Sequence, residues 1–162
     1  MAQRPDIRED DLTHPETIAL LRLHLEGMHA NSPPENVFAL DLSGLKAPEI
    51  TVWTAWLDDR PVAIGALKRL DDETGEIKSM RTHPEFLRLG LAAALLDHIM
   101  TFARERGLSR LSLETGSGDA FEPALTLYRR RGFANGASFG DYVASDFNQF
   151  LHCDLGRAES LS

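Results

Sequence analysis

Apolar positions along this chain recur with two different periods, and the switches between them divide it into elements. Ile18, Leu21, Leu25 and Met28 stand three or four apart, the stripe of a helix. That spacing predicts a first helix over residues 14–30, with Thr13 or His14-Pro15 at its start. Asn31-Ser32-Pro33-Pro34 stops it, because proline ends a helix and pushes its predecessor towards extended geometry. A short second helix is expected over 35–45, ending near Gly44. Residues 50–57, with Val52, Trp53 and Trp56, read as a strand. The turn Asp58-Asp59-Arg60-Pro61 then leads into a second strand over 62–70, so the two form a hairpin. After the polar turn Asp71-Asp72-Glu73-Thr74-Gly75, a third strand runs to Thr82.

The period changes again after His83-Pro84. Leu91, Leu95, Ile99, Met100 and Phe102 make a helix over 89–106, with Gly107 as its stop. A strand over 108–114 and a loop over 115–118 follow. A helix over 123–131 then ends at Gly132, and two strands over 134–139 and 149–154 flank the polar Gly140-Asp141-Tyr142 segment. A hairpin in the front half and helix-linked strands later predict an α/β (α+β) fold, a mixed sheet flanked by helices. No repeat or second domain interrupts it. One domain over residues 5–155 is expected, with 156–162 as a short C-terminal tail.

Composition narrows the class. The chain has 162 residues, 43% hydrophobic and 26% charged, which suits one globular domain with a real core. A net charge of −8 argues against binding the phosphate backbone of nucleic acid. It leaves room for a small anion held by local N–H groups and arginines. The lone Cys153 excludes an intrachain disulfide and suits a reducing compartment. The start MAQRPDIRED lacks the apolar core of a signal peptide, and no apolar run approaches the roughly 20 residues that span a bilayer. The expectation is a cytoplasmic protein with neither membrane nor nucleic-acid partner.

The stretch HPEFLRLGLAAALL, from His83 to Leu96, carries the most chemistry. A helix that starts at Leu89-Gly90-Leu91-Ala92 offers first-turn N–H groups without intrahelical partners, at the positive end of its dipole. Gly90 and Ala92 have almost no side chain, so a pyrophosphate can come close. By itself such a motif is more often a tight strand-to-helix turn whose small residues serve packing.

The element order, the strand ending Ser79-Met80-Arg81-Thr82, the P-x-F-x-R-x-G-x-A turn and the later LYRRRGF together resemble the GNAT superfamily of acyl-CoA-dependent N-acetyltransferases. The resemblance covers residues 5 to 155. SPPENVFALDL, GEIKSMRT and LSLETGS are similar to a branch of small bacterial acetyltransferases of poorly defined substrate. The resemblance implies the GNAT fold, a mixed central sheet of six to seven strands. It implies acetyl-CoA as co-substrate, no metal, and a small-molecule amine as acceptor.

Residue by residue, it puts the CoA pyrophosphate on main-chain N–H groups from Arg88 through Leu89, Gly90 and Leu91 to Ala92. Leu87 stands where the family has Gln or Arg, and Arg88 where many members have Gly. The pantetheine arm would pair with the strand end at Met80, Arg81 and Thr82, an edge-strand mode of recognition. The Met80 N–H would lie near the thioester oxygen. Phe121 occupies the place of an Asn that touches the pantetheine in many members. That interaction is then either missing here or supplied by Ser117.

Acetyl transfer to an amine needs a neutral amine, a polarised carbonyl and a protonated leaving thiolate. The resemblance assigns the base, direct or through water, to Glu76, which is otherwise a strand glutamate paired with Lys78 or Lys68. It assigns the acid to Tyr128 in LYRRRGF, otherwise a structural aromatic. The acceptor end of the cleft is expected at Glu35, Asn36, Glu114 and Tyr142, with Ser32, Asp141 and Asn148 beside them. Arg129 to Arg131 read as a solvated helix end, His83 as a turn residue, and Cys153 as a buried strand residue. The histidines show no metal-ligand spacing.

The rival reading is a non-catalytic acyl-CoA-binding or regulatory module on the same fold. A homodimer paired through the final strands stays open.

Overall fold

The computed structural model describes residues 4–31, 44–140 and 142–156, with the side chains of 24–31 left out. Seven strands form one sheet: β1 (Asp6–Glu9), β2 (Ile50–Leu57), β3 (Arg60–Arg69), β4 (Thr74–Thr82), β5 (Arg110–Thr115), β6 (Ala134–Asn135) and β7 (Gln149–Asp154). Their spatial order is β1-β2-β3-β4-β5-β7-β6. All neighbours are antiparallel except β4 and β5. Three helices flank the sheet, α1 (Pro15–Asn31), α2 (Leu91–Glu105) and α3 (Glu122–Arg130). This is the mixed sheet the sequence predicts.

Alternation on the strands builds a core on each face. Ile77 on β4, with Leu111 and Leu113 on β5, joins Leu91, Leu95, Leu96 and Ile99 of α2 and Leu125 and Tyr128 of α3. On the other face, Val52, Ile64 and Ala66 pack with Leu20 and Leu21 of α1 and with Leu12 and Leu45. The β2–β3 hairpin holds because Asp58 and Asp59 both take positive φ, the geometry of a tight hairpin turn. The next turn is tied by Asp71, whose carboxylate accepts from the Glu73 and Thr74 N–H groups at 2.8 and 2.7 Å.

Two expectations change, and a third is met by the structure only at its end. β1 lies where the pattern predicts no element: Asp-Ile-Arg-Glu has no buried alternation, and pairing with Trp53–Trp56 makes it a strand. Arg8 stacks over the Trp56 ring at 4.5 Å. The strand expected over 134–139 shortens to Ala134–Asn135; Gly136 still donates to the Phe150 carbonyl at 2.9 Å, packed so closely on the His152 ring that a Cβ would stand 2.7 Å from it. The expected helix over 35–45 lies almost wholly outside the described residues, and its last part is a 3-10 turn at Gly44–Lys46.

Candidate active site

The join between β4 and β5 is short. Their register holds at three positions, Thr74, Gly75 and Glu76, and stops. From Ile77 to Thr82, β4 keeps β3 on one side and no strand on the other. A slot therefore opens inside the sheet, and the chain runs from its β4 edge through a short turn to the start of α2.

A bulge shapes this slot. Lys78 pairs with Ala66 and Arg81 with Ile64, so Ser79 and Met80 together oppose Gly65. Ser79 takes φ +58°, a strained value for a residue with a Cβ. Gly65 makes room for the bulge, since a Cβ there would stand 2.5 Å from the Met80 sulfur. Met80 thus packs on the α2 side, and the extra residue returns Arg81 to the α1 side. There the Arg81 guanidinium donates to the Leu23 carbonyl of α1 at 3.1 Å.

After Thr82 the chain makes a 3-10 turn at Pro84–Phe86 that is capped by His83, whose ring Nδ1 accepts from the Glu85 N–H at 3.1 Å. His83 is the turn residue the sequence predicts. The loop then passes through left-handed conformations at Arg88 (φ +65°) and Gly90 (φ +79°). Gly90 precedes α2, and its carbonyl accepts the first intrahelical bond, from Ala94 N–H at 3.0 Å; no side chain bonds the first-turn N–H groups, so they stay uncapped. The space around Gly90 is open. Leu87 and Leu89 on this loop are exposed.

On the α1 side of the slot, Glu76 is 4% exposed. Lys78 Nζ lies 3.0 Å from its Oε2, and the Tyr142 phenol donates to the same oxygen. Lys78 Nζ is also 2.9 Å from the Tyr142 oxygen. Of the two lysines the sequence offers as partners for Glu76, Lys78 is the one in contact. Burial holds the Tyr142 phenol well above its ordinary range, with the Glu76 charge acting in the same direction.

Glu114 stands on the same face of β5, past the last β4–β5 register position. Burial pushes its carboxyl up to about 7; a side-chain hydrogen bond with Asn148 and the Lys78 charge oppose this, and the Glu76 charge adds to it. Asn148 is itself buried and fixed by Ser145 and Val143.

Tyr128 lies apart from this cluster, in the α2–α3 core against Phe133. Its hydroxyl has no hydrogen-bond partner among the described residues and is not sealed from solvent. Burial keeps the phenol protonated well above its ordinary range. Phe121 meets Phe147 edge to face over Gly116. Ser117 accepts from the Gln149 side chain at 3.0 Å. Arg131 pairs with Asp97 at 2.7 Å and Arg129 with Asn135 at 3.0 Å, so both serve the helix end. Cys153 is buried on β7. Glu35 and Asn36, like Ser32 and Asp141, lie outside the described residues.

Glu76, Glu114 and Tyr142 are therefore brought together, and Arg88 to Ala92 form the open loop. Sequence reasoning missed the bulge at Ser79, which carries no glycine to signal it. It therefore also missed the face on which the Arg81 side chain stands.

Known proteins resemble this chain in sequence and in fold. The Acetyltransferase (GNAT) family model matches residues 17–133. The uncharacterized N-acetyltransferase YsnE of Bacillus subtilis (strain 168) is 50% identical over 145 residues, 90% of this chain and 96% of its own. The uncharacterized N-acetyltransferase YedL of Escherichia coli (strain K12) is 46% identical over 149 residues, 92% of this chain and 94% of its own. Among solved structures, a GNAT family acetyltransferase from Elizabethkingia anophelis, with acetyl-CoA bound, shares the fold at a TM-score of 0.68 and 18% identity, covering 94% of this chain and 99% of that one. A sheet opened beside an uncapped helix start is thus matched by sequence across most of its length, and the chain belongs to the GNAT family of acetyltransferases.

Proposed function

We propose that the protein transfers acetyl from acetyl-CoA to the amine of a small-molecule or amino-acid-like acceptor, by direct attack in a ternary complex. The observation that carries this is the slot beyond Glu76, which leaves the β4 edge open on the strand that leads into the uncapped start of α2. The residues present fit the co-substrate. First-turn N–H groups around Gly90, with open space above them, suit a pyrophosphate. The free edge from Met80 through Arg81 to Thr82 suits the pantetheine amides. When bound, the co-substrate supplies an activated acyl carbon.

The chain's own groups do the rest. Main-chain N–H groups of Arg88, Leu89, Gly90, Leu91 and Ala92 hold the phosphates, and the Met80 N–H faces the oxygen where negative charge develops. Glu76 and Glu114 share the acceptor side. Burial holds the Glu114 carboxyl up near 7, so it takes up a proton from the acceptor side near neutrality, and Glu76 beside it serves as the base for the amine, directly or through water. Tyr142 and Lys78 fix the orientation of Glu76. Tyr128, protonated at every physiological pH, returns a proton to the leaving thiolate.

The domain is taken as residues 5–155 with 156–162 as a tail, and the location as cytoplasmic. Among the described residues no helix is long and apolar enough to cross a membrane, and no group of three or more His, Cys, Asp or Glu could hold a metal ion.

The test is thiol release from acetyl-CoA across a panel of amines, with the acetylated product identified by mass spectrometry. Turnover that falls in Glu76→Gln and Tyr128→Phe supports the reading. Tight CoA binding with no turnover on any amine selects the rival, a non-catalytic acyl-CoA-binding module.

A further inference from the structure

The acceptor side of the slot holds a cation that the transfer chemistry does not use. Arg81 points to the α1 face, where its Nη2 donates to the Leu23 carbonyl at 3.1 Å. No carboxylate pairs with it among the described residues. Its remaining guanidinium N–H groups have no protein partner among those residues, yet none of its nitrogens is sealed from solvent. They therefore reach solvent. A half-buried guanidinium is costly without a counter-charge. Burial already holds its pKa below the ordinary value.

Its placement decides what it faces. Glu76, Lys78 and Arg81 stand opposite Lys68, Ala66 and Ile64 of β3, so all three share one face of the sheet. One β-repeat of about 7 Å separates Lys78 from Arg81 along the strand, and about 13 Å separates Glu76 from Arg81. Without the Ser79–Met80 bulge, Arg81 would stand three residues from Lys78 and face α2. The charge of Lys78 is already taken by Glu76. The row thus runs from Glu76, with Glu114 beside it on β5, to a guanidinium that no carboxylate among the described residues compensates. A CoA phosphate is the wrong occupant, since the start of α2 lies on the opposite face.

We propose that Arg81 holds a carboxylate of the acceptor, so that the substrate is an amine that also carries a carboxylic acid, in the manner of an amino acid. This rests on the acetyltransferase reading, with Glu76 and Glu114 receiving the amine end and Arg81 the acid end. A planar guanidinium with two free N–H directions suits bidentate capture of a carboxylate.

The experiment uses matched acceptor pairs that differ only at the acid: glycine, L-alanine, L-phenylalanine and L-glutamate against their α-carboxamides. β-Alanine, 4-aminobutyrate and 6-aminohexanoate are added to vary the distance from amine to acid. Acetylation is followed by thiol release, and equilibrium binding of the same compounds is measured in the presence of CoA. For the best acceptor, kcat/KM of the acid should exceed that of the amide ~10- to 100-fold. The ratio should fall to about 1 in Arg81→Met and take an intermediate value in Arg81→Lys, which keeps the charge without the fork.

Equal use of acid and amide by the wild type overturns the proposal, as does a preference that survives in Arg81→Met. If nothing is acetylated, acid-selective binding that is lost in Arg81→Met supports Arg81 as the clamp and refutes only the transfer reading. Absence of acid-selective binding throughout the panel refutes the clamp.

Discussion

Tyr142 donates its phenol proton to the same Glu76 oxygen that Lys78 holds at 3.0 Å, so one carboxylate oxygen anchors two side chains from distant parts of the chain. Lys78 sits two residues along the strand and Tyr142 sixty-six residues later. The bond ties the irregular segment after β6 to the middle of the sheet. Its rupture has separate consequences for each partner.

Replacing Lys78 by Met leaves Glu76 buried with no cation beside it. The expected loss of stability at pH 7 is about 3–5 kcal/mol, because a buried charge stripped of its partner keeps its desolvation cost. Equilibrium unfolding in urea measures it, and a loss below about 1 kcal/mol would mean that Glu76 is solvated or already neutral.

Tyr142→Phe removes the hydrogen bond donated to Glu76 and the one accepted from Lys78, and leaves the Lys78–Glu76 pair in place. A loss of about 1–2 kcal/mol is expected by the same measurement, smaller than that of Lys78→Met. The proposed orienting role predicts that kcat falls as well, while KM for acetyl-CoA stays near the wild-type value.

Glu114 gives the enzyme a pH signature. Its carboxyl is pushed up to about 7, mainly by burial. As a proton acceptor it works only when ionised, so kcat/KM should rise with pH through about 7 and level off above it. Glu114→Gln should remove that limb and lower the plateau. Stability runs the opposite way: the folded state binds the Glu114 proton more tightly than the unfolded chain does. Its contribution is complete below the ordinary carboxylate range near 4.5 and fades as pH rises through about 7. Thermal unfolding of wild type and Glu114→Gln across this window should show the wild type losing more on the alkaline side.

Tyr128→Phe separates catalysis from packing. The hydroxyl makes no hydrogen bond among the described residues, so the ring alone supports the core and stability should change by no more than about 0.5 kcal/mol. The proposed acid role predicts a kcat lower by ~10²-fold, within the usual range for a lost general acid. Unchanged kcat would leave Tyr128 a core aromatic.

Gly90→Ala tests the loop. No atom blocks a Cβ there, so the cost is conformational: at φ +79° an alanine is strained by about 1–2 kcal/mol. The added methyl also stands where the pyrophosphate is proposed to lie. KM for acetyl-CoA should rise several-fold while the acceptor KM moves little.

Much of the fold is legible in the chain itself. Residues 50–57 form a strand because Val52, Trp53 and Trp56 suit a pleated surface, and β2 spans those same eight residues. Gly107 ends α2 at a positive φ, as its lack of a side chain implies. What stays hidden depends on partners rather than on local preference. The segment Asp6–Glu9 has no pattern of its own and is a strand only because β2 offers an edge. The bulge rests on Ser79, a residue that ordinarily avoids φ +58°, held there by pairing on both sides of Gly65. Sequence position therefore marks Arg81 only as part of the CoA strand, whereas its side chain belongs to the opposite face.

The three-position join of β4 to β5 also bears on how the molecule holds together. On one side lie β1 to β4, on the other β5 to β7, and few main-chain bonds stitch the two halves of the sheet. A ligand that hydrogen-bonds along the open edge from Ile77 to Thr82 would act as an eighth strand laid into the seam. The seam should then be where amide exchange is fastest in the free protein and where it slows most when CoA is added. Occupancy would thus register as stiffness, and the assembled reaction centre would be the most rigid form the chain adopts.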